Sequence, residues 1–499
     1  MHRGVLLKTM SDMGLPEASR CWVKHFLTRR RTSLIIDGKK TEPRRVDSGI
    51  PQGSPISPLL FLIYTSSLYS EIRKAGAHVV GFIDDITIFT GGRDIDKNTA
   101  TLSNVLQICH EWAQKCHTEF DYGDKLGFLH VHKSKRGRPK KKKKRGPRKL
   151  ALPIAGLGKR QAQRSLKLLG VTLDCELKFQ EHAKNVVSKA KKVMGIIGNL
   201  GGVYKGISCQ TMKQLYVSCV RPIFEYASPV WYHKLTGQWK DEIQKIQNTA
   251  LRKILGAFKS APIKAMQRDA EILPVNIRMK EIRDRFAIRA IRAVSPRNPV
   301  WKLANRSKPA EGDLERLFAR VKQMDGIDDD KYWSKRPPWK QPNYDRDKKS
   351  HEALQKLKST LHVASRDEWQ LDYETQGDLR QYYSITQREL YGKKYPNPLK
   401  SFMSTVPRHT LSKLFQLRTG HGVLGNYFQR LGISERNHYC ECGQLETVEH
   451  ILKECPLYPA ERDYLRKVSP ELEPRILLDT KKGLGAVVKF LDSLPQLLC

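Results

Sequence analysis

Two adjacent carboxylates, Asp84 and Asp85, interrupt an apolar run and constrain the fold more than any other feature of the sequence. The run, residues 82–89, reads FIDDITIF. Neighbouring carboxylates repel each other and are costly to bury, so apolar residues on both sides indicate an exposed turn or a bound cation. The β-branched and aromatic flanks favour strands, which predicts a β-hairpin with both aspartates at its tip. Carboxylates held in this way suit Mg²⁺ or Mn²⁺, whereas an ordinary solvated turn is the simpler explanation of the motif alone.

The chain carries a large excess of positive charge. Its 499 residues include 90 Lys and Arg against 51 Asp and Glu, which gives a formal net charge of +39. This excess favours a polyanionic partner, because cations that neutralise phosphates release condensed counterions. The longest apolar run, residues 58–64, is too short to span a bilayer, and no apolar secretory segment begins the chain, so no membrane partner is expected. The ten cysteines are mostly scattered singly, as in reduced intracellular proteins.

Residues 48–64 combine a loop rich in Gly, Pro and Ser with an apolar helix, and read SGIPQGSPISPLLFLIY. Ser57 followed by Pro58 predicts a helix N-cap with proline at the first helical position. Backbone amides at such a helix N-terminus suit contacts with phosphates or nucleotides. A plain capped core helix explains the apolar part equally well, but it does not explain Gln52, which lies between a proline and a glycine.

The loop and the acidic hairpin, in this order, resemble motifs B and C of reverse transcriptases. The similarity is closest to the non-long-terminal-repeat retrotransposons, the long interspersed elements, and continues through most of the chain. It implies an α+β fold with a partial right-hand polymerase palm, a β-hairpin catalytic motif, an α-helical thumb and a small C-terminal zinc-knuckle module. It also implies an RNA-directed DNA polymerase, a nucleotidyltransferase, that uses an RNA template and a DNA primer or target. Its expected location is the nucleus, with a cytoplasmic ribonucleoprotein as a further possibility.

The resemblance also implies roles for individual residues. Asp84, with Asp85 secondary, would hold the divalent ions, Mg²⁺ or Mn²⁺, that activate the primer hydroxyl and bind the triphosphate. Lys125 lies in residues 120–132, which are similar to motif D, and would protonate the leaving pyrophosphate; an ordinary surface lysine is an equal alternative. The residues expected to bind the substrate are Gln52, Gly53, Ser54 and Pro55.

Residues 133–149, KSKRGRPKKKKKRGPRK, concentrate like charges that cannot fold alone, which predicts a solvated, disordered insertion. Phosphate binding or nuclear import is the favoured interpretation. The RGRP sequence with basic flanks also resembles an AT-hook, whose arginines would enter the minor groove of A·T-rich DNA. The residues expected to contact nucleic acid are Arg136, Arg138, Lys140, Lys141, Lys142, Lys143, Lys144 and Arg145.

A cluster of potential metal ligands lies near the C-terminus. Its members are Cys440, Cys442, His450 and Cys455. Their spacing, C-x-C-x7-H-x4-C, predicts a closed tetrahedral Zn²⁺ site of three thiolates and one imidazole. Thr447 is expected to cap the helix that carries the histidine. Because C-x-C is tighter than the usual C-x2-C, His438 or His421 is an alternative fourth ligand, and a chance cluster of free cysteines is the simpler alternative.

The family pattern and the composition divide the chain into five segments. Residues 1–165 are the expected partial palm with motifs B, C and D, and residues 166–294 the primer grip and helical thumb. Residues 295–400, dominated by Pro, Trp, Asp and Lys, predict a variable linker. Residues 401–470 are the expected C-terminal block with the zinc knuckle, and residues 471–499 a tail.

Local patterns predict individual elements within these segments. Apolar residues at helical spacing predict helices at 18–28, 99–117, 211–226 and 239–255. A strand is expected at 33–36, ending at the Asp37-Gly38 turn signal, and another at 168–173. Apolar residues from Phe179 to Ile197 also repeat at helical spacing. His182 lies on this predicted helix, which indicates a core or surface histidine and not a catalyst.

One part of the family pattern has no counterpart in the sequence. Motif A precedes motif B in these enzymes and supplies a further metal-binding aspartate from a neighbouring strand, whereas Asp12, Asp37 and Asp47 occupy helical, turn or loop contexts. We therefore expect an N-terminally truncated polymerase that is weakly active or inactive alone. The alternative is a retroelement-derived nucleic-acid-binding protein that has lost catalysis. A group II intron-type reverse transcriptase shares motifs B and C, but the terminal zinc motif argues against it.

Overall fold

The computed structural model describes two compact units, Met1–Leu177 and Lys178–Cys499. The described residues are 1–46, 49–123, 125–132, 150–154, 158–293, 313–322 and 398–494, together with positions 300, 355, 359, 361–363 and 365. The predicted basic insertion at 133–149, with all of its expected nucleic-acid contacts, and most of the predicted linker lie outside the described residues.

The described part of the first unit has an α+β fold, as predicted, with four helices around one core. The helices are α1 (Arg3–Asp12), α2 (Glu17–Phe26), α3 (Ser57–Lys74) and α4 (Ile95–Lys115). Leu68 and Val105 are among the fully buried side chains where α3 and α4 pack together. The Asp94 carboxylate caps α4 by accepting hydrogen bonds from the backbone N–H groups of Asp96 and Lys97. The helices predicted at 18–28 and 99–117 are therefore confirmed with shifted ends.

All strands in the described part of the first unit form two-stranded antiparallel ribbons. The strands are β1 (Arg30–Thr32), β2 (Ile35–Ile36), β3 (Lys39–Lys40), β4 (Arg44–Val46), β5 (His78–Phe82), β6 (Asp85–Phe89), β7 (Ala151–Ile154), β8 (Gly158–Gln161), β9 (Ser165–Leu168) and β10 (Val171–Asp174). The pairs are β1 with β4, β2 with β3, β5 with β6, β7 with β8, and β9 with β10.

The single strand predicted at 168–173 is wrong, because the chain turns within it. Leu169 and Gly170 have φ angles of +45° and +83° and join β9 to β10 in a tight hairpin. Glycine adopts positive φ without a steric cost, and a two-residue loop of this kind matches the twist of antiparallel strands. The apolar pattern continues through this turn, so it did not indicate that the chain reverses direction there.

The described part of the second unit is mainly helical. Its helices are α5 (Gln180–Asn199), α6 (Cys209–Leu215), α7 (Arg221–Glu225), α8 (Ser228–Trp231), α9 (Gly237–Leu255), α10 (Ile263–Asp269), α11 (Val275–Ala293), α12 (Asp313–Lys322), α13 (Arg408–Thr419), α14 (Gly425–Arg430), α15 (Asp463–Arg466), α16 (Pro474–Asp479) and α17 (Lys481–Ser493). Single π turns at Tyr216–Val220 and His450–Glu454 and 3-10 turns at Tyr232–Lys234 and Pro398–Phe402 complete it. In the described parts of both units, no helix has the length and apolarity to cross a bilayer.

The core of the second unit forms where α5 packs against α9. The helices predicted at 211–226 and 239–255 are confirmed, the first with the π turn between α6 and α7. His182 is buried on α5, where its ring meets the Trp231 ring edge to face at 5.0 Å, and burial lowers its pKa. The core interpretation of this histidine is therefore confirmed.

Two buried arginines of α13 connect the later helices of the second unit to the earlier ones. Arg408 donates hydrogen bonds to the backbone oxygens of Ile207 at 3.1 Å and of Lys253, near the carboxyl end of α9. Arg418 donates to both carboxylate oxygens of Asp269 at 3.1 and 3.2 Å. The predicted thumb and C-terminal block thus share one compact unit, while the five segment boundaries stay predictions.

Candidate functional site

The acidic motif lies on the hairpin of β5 and β6. Phe82 pairs with Asp85, which leaves Ile83 and Asp84 as a two-residue loop. The predicted hairpin is confirmed, and the two aspartates occupy different parts of it: Asp84 is in the loop and Asp85 is the first residue of β6. Both side chains are exposed. The hairpin thus exposes two consecutive carboxylates to solvent, and carboxylate oxygens are ligands that Mg²⁺ accepts.

Backbone strain accompanies the aspartates. Ile83 has a φ of +55°, in the left-handed region, where a β-branched side chain is unfavourable by about 1 to 3 kcal/mol. Such strain persists only where the surrounding structure enforces it, and it concentrates at functional sites. The strained residue immediately precedes Asp84 in the two-residue loop.

The hairpin is seated on α3 through its inner face. Val79 is buried, and Ile86 and Ile88 pack partly buried against the core of the first unit. A Cβ at Gly81 would overlap the Tyr69 hydroxyl of α3, so a larger residue there would require the Tyr69 side chain to shift. The aspartates therefore extend from a supported element and not from a free loop, which favours a defined ligand geometry.

The residues expected to bind substrate form a closed loop before α3. Gln52 and Gly53 are exposed, and Gly53 adopts a φ of +86° that favours glycine. The predicted N-cap is wrong: Ile56 occupies that position and Ser57 is the first helical residue. The reason is that the Ser57 hydroxyl donates to the Pro51 carbonyl at 2.6 Å and closes the loop instead of capping the helix.

Ser54 and Pro55 complete this loop. The Ser54 carbonyl accepts a hydrogen bond from the Ser57 backbone N–H at 3.1 Å, whereas Pro55 is exposed. The four residues thus form one short turn held at both ends, and their substrate contacts stay predictions.

Lys125 occupies an exposed loop after α4. Its side chain is 83% exposed and forms an ion pair of 3.6 Å with Asp121, which is itself half exposed. Exposed ion pairs of this kind contribute little to the stability of a fold, so the contact with Asp121 gives no structural reason for a lysine at this position. Its expected role as a proton donor stays a prediction.

The described residues give the two aspartates no third acidic partner. Within the described ranges, the one group of three or more His, Cys, Asp or Glu side chains close enough to share a cation lies near the C-terminus. Asp12 ends α1, and Asp37 lies in a turn with a φ of +49°. Asp47 lies outside the described residues.

That C-terminal group consists of the four predicted zinc ligands. The potential ligand atoms of Cys440, Cys442, His450 and Cys455 all lie within 4.8 Å of one another. The sulfurs of Cys440 and Cys455 are 3.6 Å apart, and the Cys442 sulfur is 3.3 Å from His450 Nε2. Tetrahedral Zn–S bonds of about 2.3 Å place two sulfurs about 3.8 Å apart. The four side chains therefore match the size of a tetrahedral zinc site.

Two short structures bring these ligands together. The Cys440 N–H donates to the Gln444 carbonyl at 2.8 Å, and Gly443, with a φ of +84°, allows the tight loop that carries the first two cysteines. The His450 N–H donates to the Thr447 hydroxyl at 2.9 Å, which confirms the predicted cap. The short spacing of the ligands along the chain therefore brings the four side chains together.

The pKa shifts differ among the four side chains of the cluster. Burial raises the pKa of Cys440 to about 11, whereas the backbone N–H of Gln444 lowers the pKa of Cys442. Burial lowers the pKa of His450, which favours the neutral imidazole that binds metal. The alternative ligand His438 instead places Nε2 2.6 Å from the Ile433 carbonyl. A divalent cation would favour the thiolate forms of the cysteines.

Two groups of residues were not predicted from the sequence. The first is a ribbon of six cations at residues 30–46, signalled in the sequence by basic pairs on both sides of Asp37 and Gly38. The second is the pair of buried arginines Arg408 and Arg418, for which the sequence contains no local signal, because their partners are distant along the chain.

Comparisons with known proteins agree with this arrangement. Residues 4–173 match the family model described as reverse transcriptase (RNA-dependent DNA polymerase). The chain is 22% identical over 329 residues to the RNA-directed DNA polymerase from mobile element jockey of Drosophila melanogaster. The aligned part is 64% of this chain and 34% of the relative.

Two further relatives are shorter matches. The probable RNA-directed DNA polymerase from transposon BS of Drosophila melanogaster is 25% identical, over 46% of this chain and 25% of the relative. The Pol polyprotein from type-1 retrotransposable element R1 of Bradysia coprophila is 25% identical, over 43% of this chain and 20% of the relative. The chain thus spans about a third or less of the length of each of these three relatives. Residues 4–173 are thus similar to reverse transcriptases, and the chain resembles the RNA-directed DNA polymerases of non-long-terminal-repeat mobile elements.

Proposed function

We propose that this chain contributes RNA-directed DNA polymerase activity to a non-long-terminal-repeat retrotransposon. The observation that carries the proposal is the strained hairpin of β5 and β6, which presents Asp84 and Asp85 to solvent within the reverse transcriptase domain. The first unit would supply the palm, and the helices of the second unit the thumb. RNA template and DNA primer or target are the proposed partners, and the basic excess of the chain suits both.

The proposed mechanism divides the chemistry among three sets of residues. Bound Mg²⁺ or Mn²⁺ would activate the primer hydroxyl and neutralise charge on the triphosphate. The Asp84 and Asp85 carboxylates would hold these ions, and the hairpin support at Gly81 would fix their position. Gln52 and its neighbours would orient the incoming nucleotide, and Lys125 would hold a proton on Nζ for the departing pyrophosphate.

A nucleic-acid-binding protein without catalysis is the second candidate. The observation that favours it is that no third carboxylate, among the described residues, groups with Asp84 and Asp85. In this alternative, the chain would still bind RNA or DNA through its positive charge but would not catalyse nucleotidyl transfer.

Template-directed extension separates the two candidates. The chain is incubated with Mg²⁺, one nucleotide at a time, and a DNA primer annealed to an RNA template. The polymerase proposal predicts addition of the complementary nucleotide alone, with the other three nucleotides as internal controls. Salt-dependent binding without any extension would refute the polymerase proposal and support the second candidate.

We also propose that the C-terminal cluster is a structural zinc knuckle. Cys442→Ser is expected to remove most of the zinc from a chain that otherwise retains about one ion, because one thiolate of the closed tetrahedral site is lost. Cys21→Ser is the matched control, since Cys21 is exposed on α2. Metal content by mass spectrometry makes the comparison, and equal zinc in both variants would contradict the assignment.

Location and a second DNA contact complete the proposal. The basic run at 133–149 supports nuclear import of the chain, directly or as a ribonucleoprotein that forms in the cytoplasm. Its RGRP sequence suits the minor groove of A·T-rich DNA in the manner of an AT-hook.

A further inference from the structure

The two ribbons β1–β4 and β2–β3 belong to one arm of the first unit, residues 30–46, which we call the basic arm. Arg30 pairs with Val46 at its base, and Ile36 pairs with Lys39 beside its tip. The Thr41 N–H donates to the Leu34 carbonyl at 2.8 Å and bridges the two ladders. The tip is a tight turn in which Asp37 and Gly38 both have positive φ.

The basic arm buries almost none of its surface. From residue 31 to residue 45 every side chain is exposed except Ser33, which is half-buried. Three adjacent apolar side chains lie near the tip: Leu34 is 62% exposed, Ile35 75% and Ile36 59%. A two-stranded ribbon is marginally stable alone, and exposed apolar clusters mark interaction sites. Among the residues that the structure describes, the arm is therefore open to a partner.

Charge identifies the partner. The basic arm contains six cations, Arg30, Arg31, Lys39, Lys40, Arg44 and Arg45, against two acids, Asp37 and Glu42. Arg31 and Arg45 lie directly opposite each other across the ladder, so the ribbon concentrates positive charge. This excess of positive charge attracts a polyanion and repels a basic partner.

We propose that the basic arm docks into a groove of double-stranded DNA. The major groove of B-form DNA is about 12 Å wide and admits a two-stranded β-ribbon. The cations would contact the phosphates on either side. Ile35 and Ile36 face opposite sides of the ribbon, so the one that faces the bases would pack on base edges such as thymine methyl groups. The major groove of A-form RNA is too narrow for a ribbon, which favours DNA. The inference rests on the proposed function only in taking nucleic acid as the polyanion.

Equilibrium binding of the full chain to a short DNA duplex at several salt concentrations tests the proposal. In the test variant, Arg31, Lys39, Lys40 and Arg44 are all replaced by Gln. The slope of log affinity against log salt is expected to become shallower by roughly 3 to 4, since each lost phosphate contact contributes about 0.9. The matched control replaces four exposed lysines of the second unit by Gln: Lys467, Lys481, Lys482 and Lys489. The control has the same change in net charge and is expected to shift the slope by less than about 1.

A second variant tests the apolar tip. Ile35→Ser combined with Ile36→Ser is expected to weaken DNA binding about tenfold with an unchanged salt slope, because apolar contacts release no counterions. Circular dichroism and the melting temperature should match the unmodified chain, since these side chains bury little surface.

Three outcomes would overturn the proposal. Equal slope changes in the arm variant and the lysine control would assign the effect to net charge alone. Unchanged DNA affinity in the arm variant, with loss of binding to an RNA duplex or to anionic lipid vesicles, would assign the arm to that other partner. A chain that does not bind duplex DNA at all would also refute it. Primer extension is not part of the test, so a chain inactive as a polymerase can still show the predicted slopes.

Discussion

Replacing Arg418 by methionine is expected to destabilise the Lys178–Cys499 unit by about 3 to 5 kcal/mol, as for other buried ion pairs that lose one partner. The Arg418 side chain is 2% exposed and lies between Asp269, which is fully buried, and Asp479, which is 7% exposed. Its guanidinium also donates to the Leu478 carbonyl. Methionine fills similar space but leaves two buried carboxylates without this cation.

Native-state hydrogen exchange measures the effect where it should occur. The free energy of opening is expected to fall for the amides of α10, α13 and α16, the helices that the arginine joins. Amides of α3 and α4, in the other unit, serve as the internal reference. A change below about 1 kcal/mol in α13 would show that the ion pairs do not hold these helices together.

Asp479→Asn is the matched control at the same network. Burial raises the pKa of Asp479 from 3.8 to about 6, although Arg418 opposes the shift. The native state therefore binds more protons than the unfolded state between about pH 4 and pH 6, and stability falls as the pH rises through this window. Asparagine removes the ionisation, so this variant should lack that fall and lose far less stability at pH 7 than Arg418→Met.

Features set by short-range sequence were predictable. The hairpin around Asp84 follows from β-branched residues on both sides of a polar pair, and the ligand cluster follows from the spacing of Cys440, Cys442, His450 and Cys455. In both cases the chain segments that meet are within about one turn or one hairpin of each other. Local preference and geometry therefore suffice to bring the side chains together.

Features that depend on competing or distant contacts were not predictable. Ser57 has the residue type of an N-cap, but its hydroxyl bonds to Pro51 and the helix begins earlier. Arg418 and Asp269 are 149 residues apart in the chain, so no periodic pattern signals their contact. Around Asp37, only a strand and a turn were predicted. The exposure of this arm was not predictable, because it depends on which other parts of the chain pack against the arm.

The Asp84 carboxylate carries the largest expected effect on function. Asp84→Asn should lower the rate of nucleotide addition on an RNA template by about 10³-fold, since the metal contributes several kcal/mol to transition-state stabilisation and each 1.4 kcal/mol is about tenfold. The side chain is exposed, so the fold should be unaffected. Asp94→Asn is the matched control, because it changes the same charge at the cap of α4, where asparagine caps as well as aspartate.

The most direct measurement is the single-turnover rate of complementary nucleotide addition with Mg²⁺ by the unmodified chain and these two variants. We expect a weak but measurable rate for the unmodified chain, a rate within a few-fold of it for Asp94→Asn, and a loss of about 10³-fold for Asp84→Asn. Equal rates in the unmodified chain and Asp84→Asn would contradict the assignment of the hairpin of β5 and β6 as the site of nucleotidyl transfer.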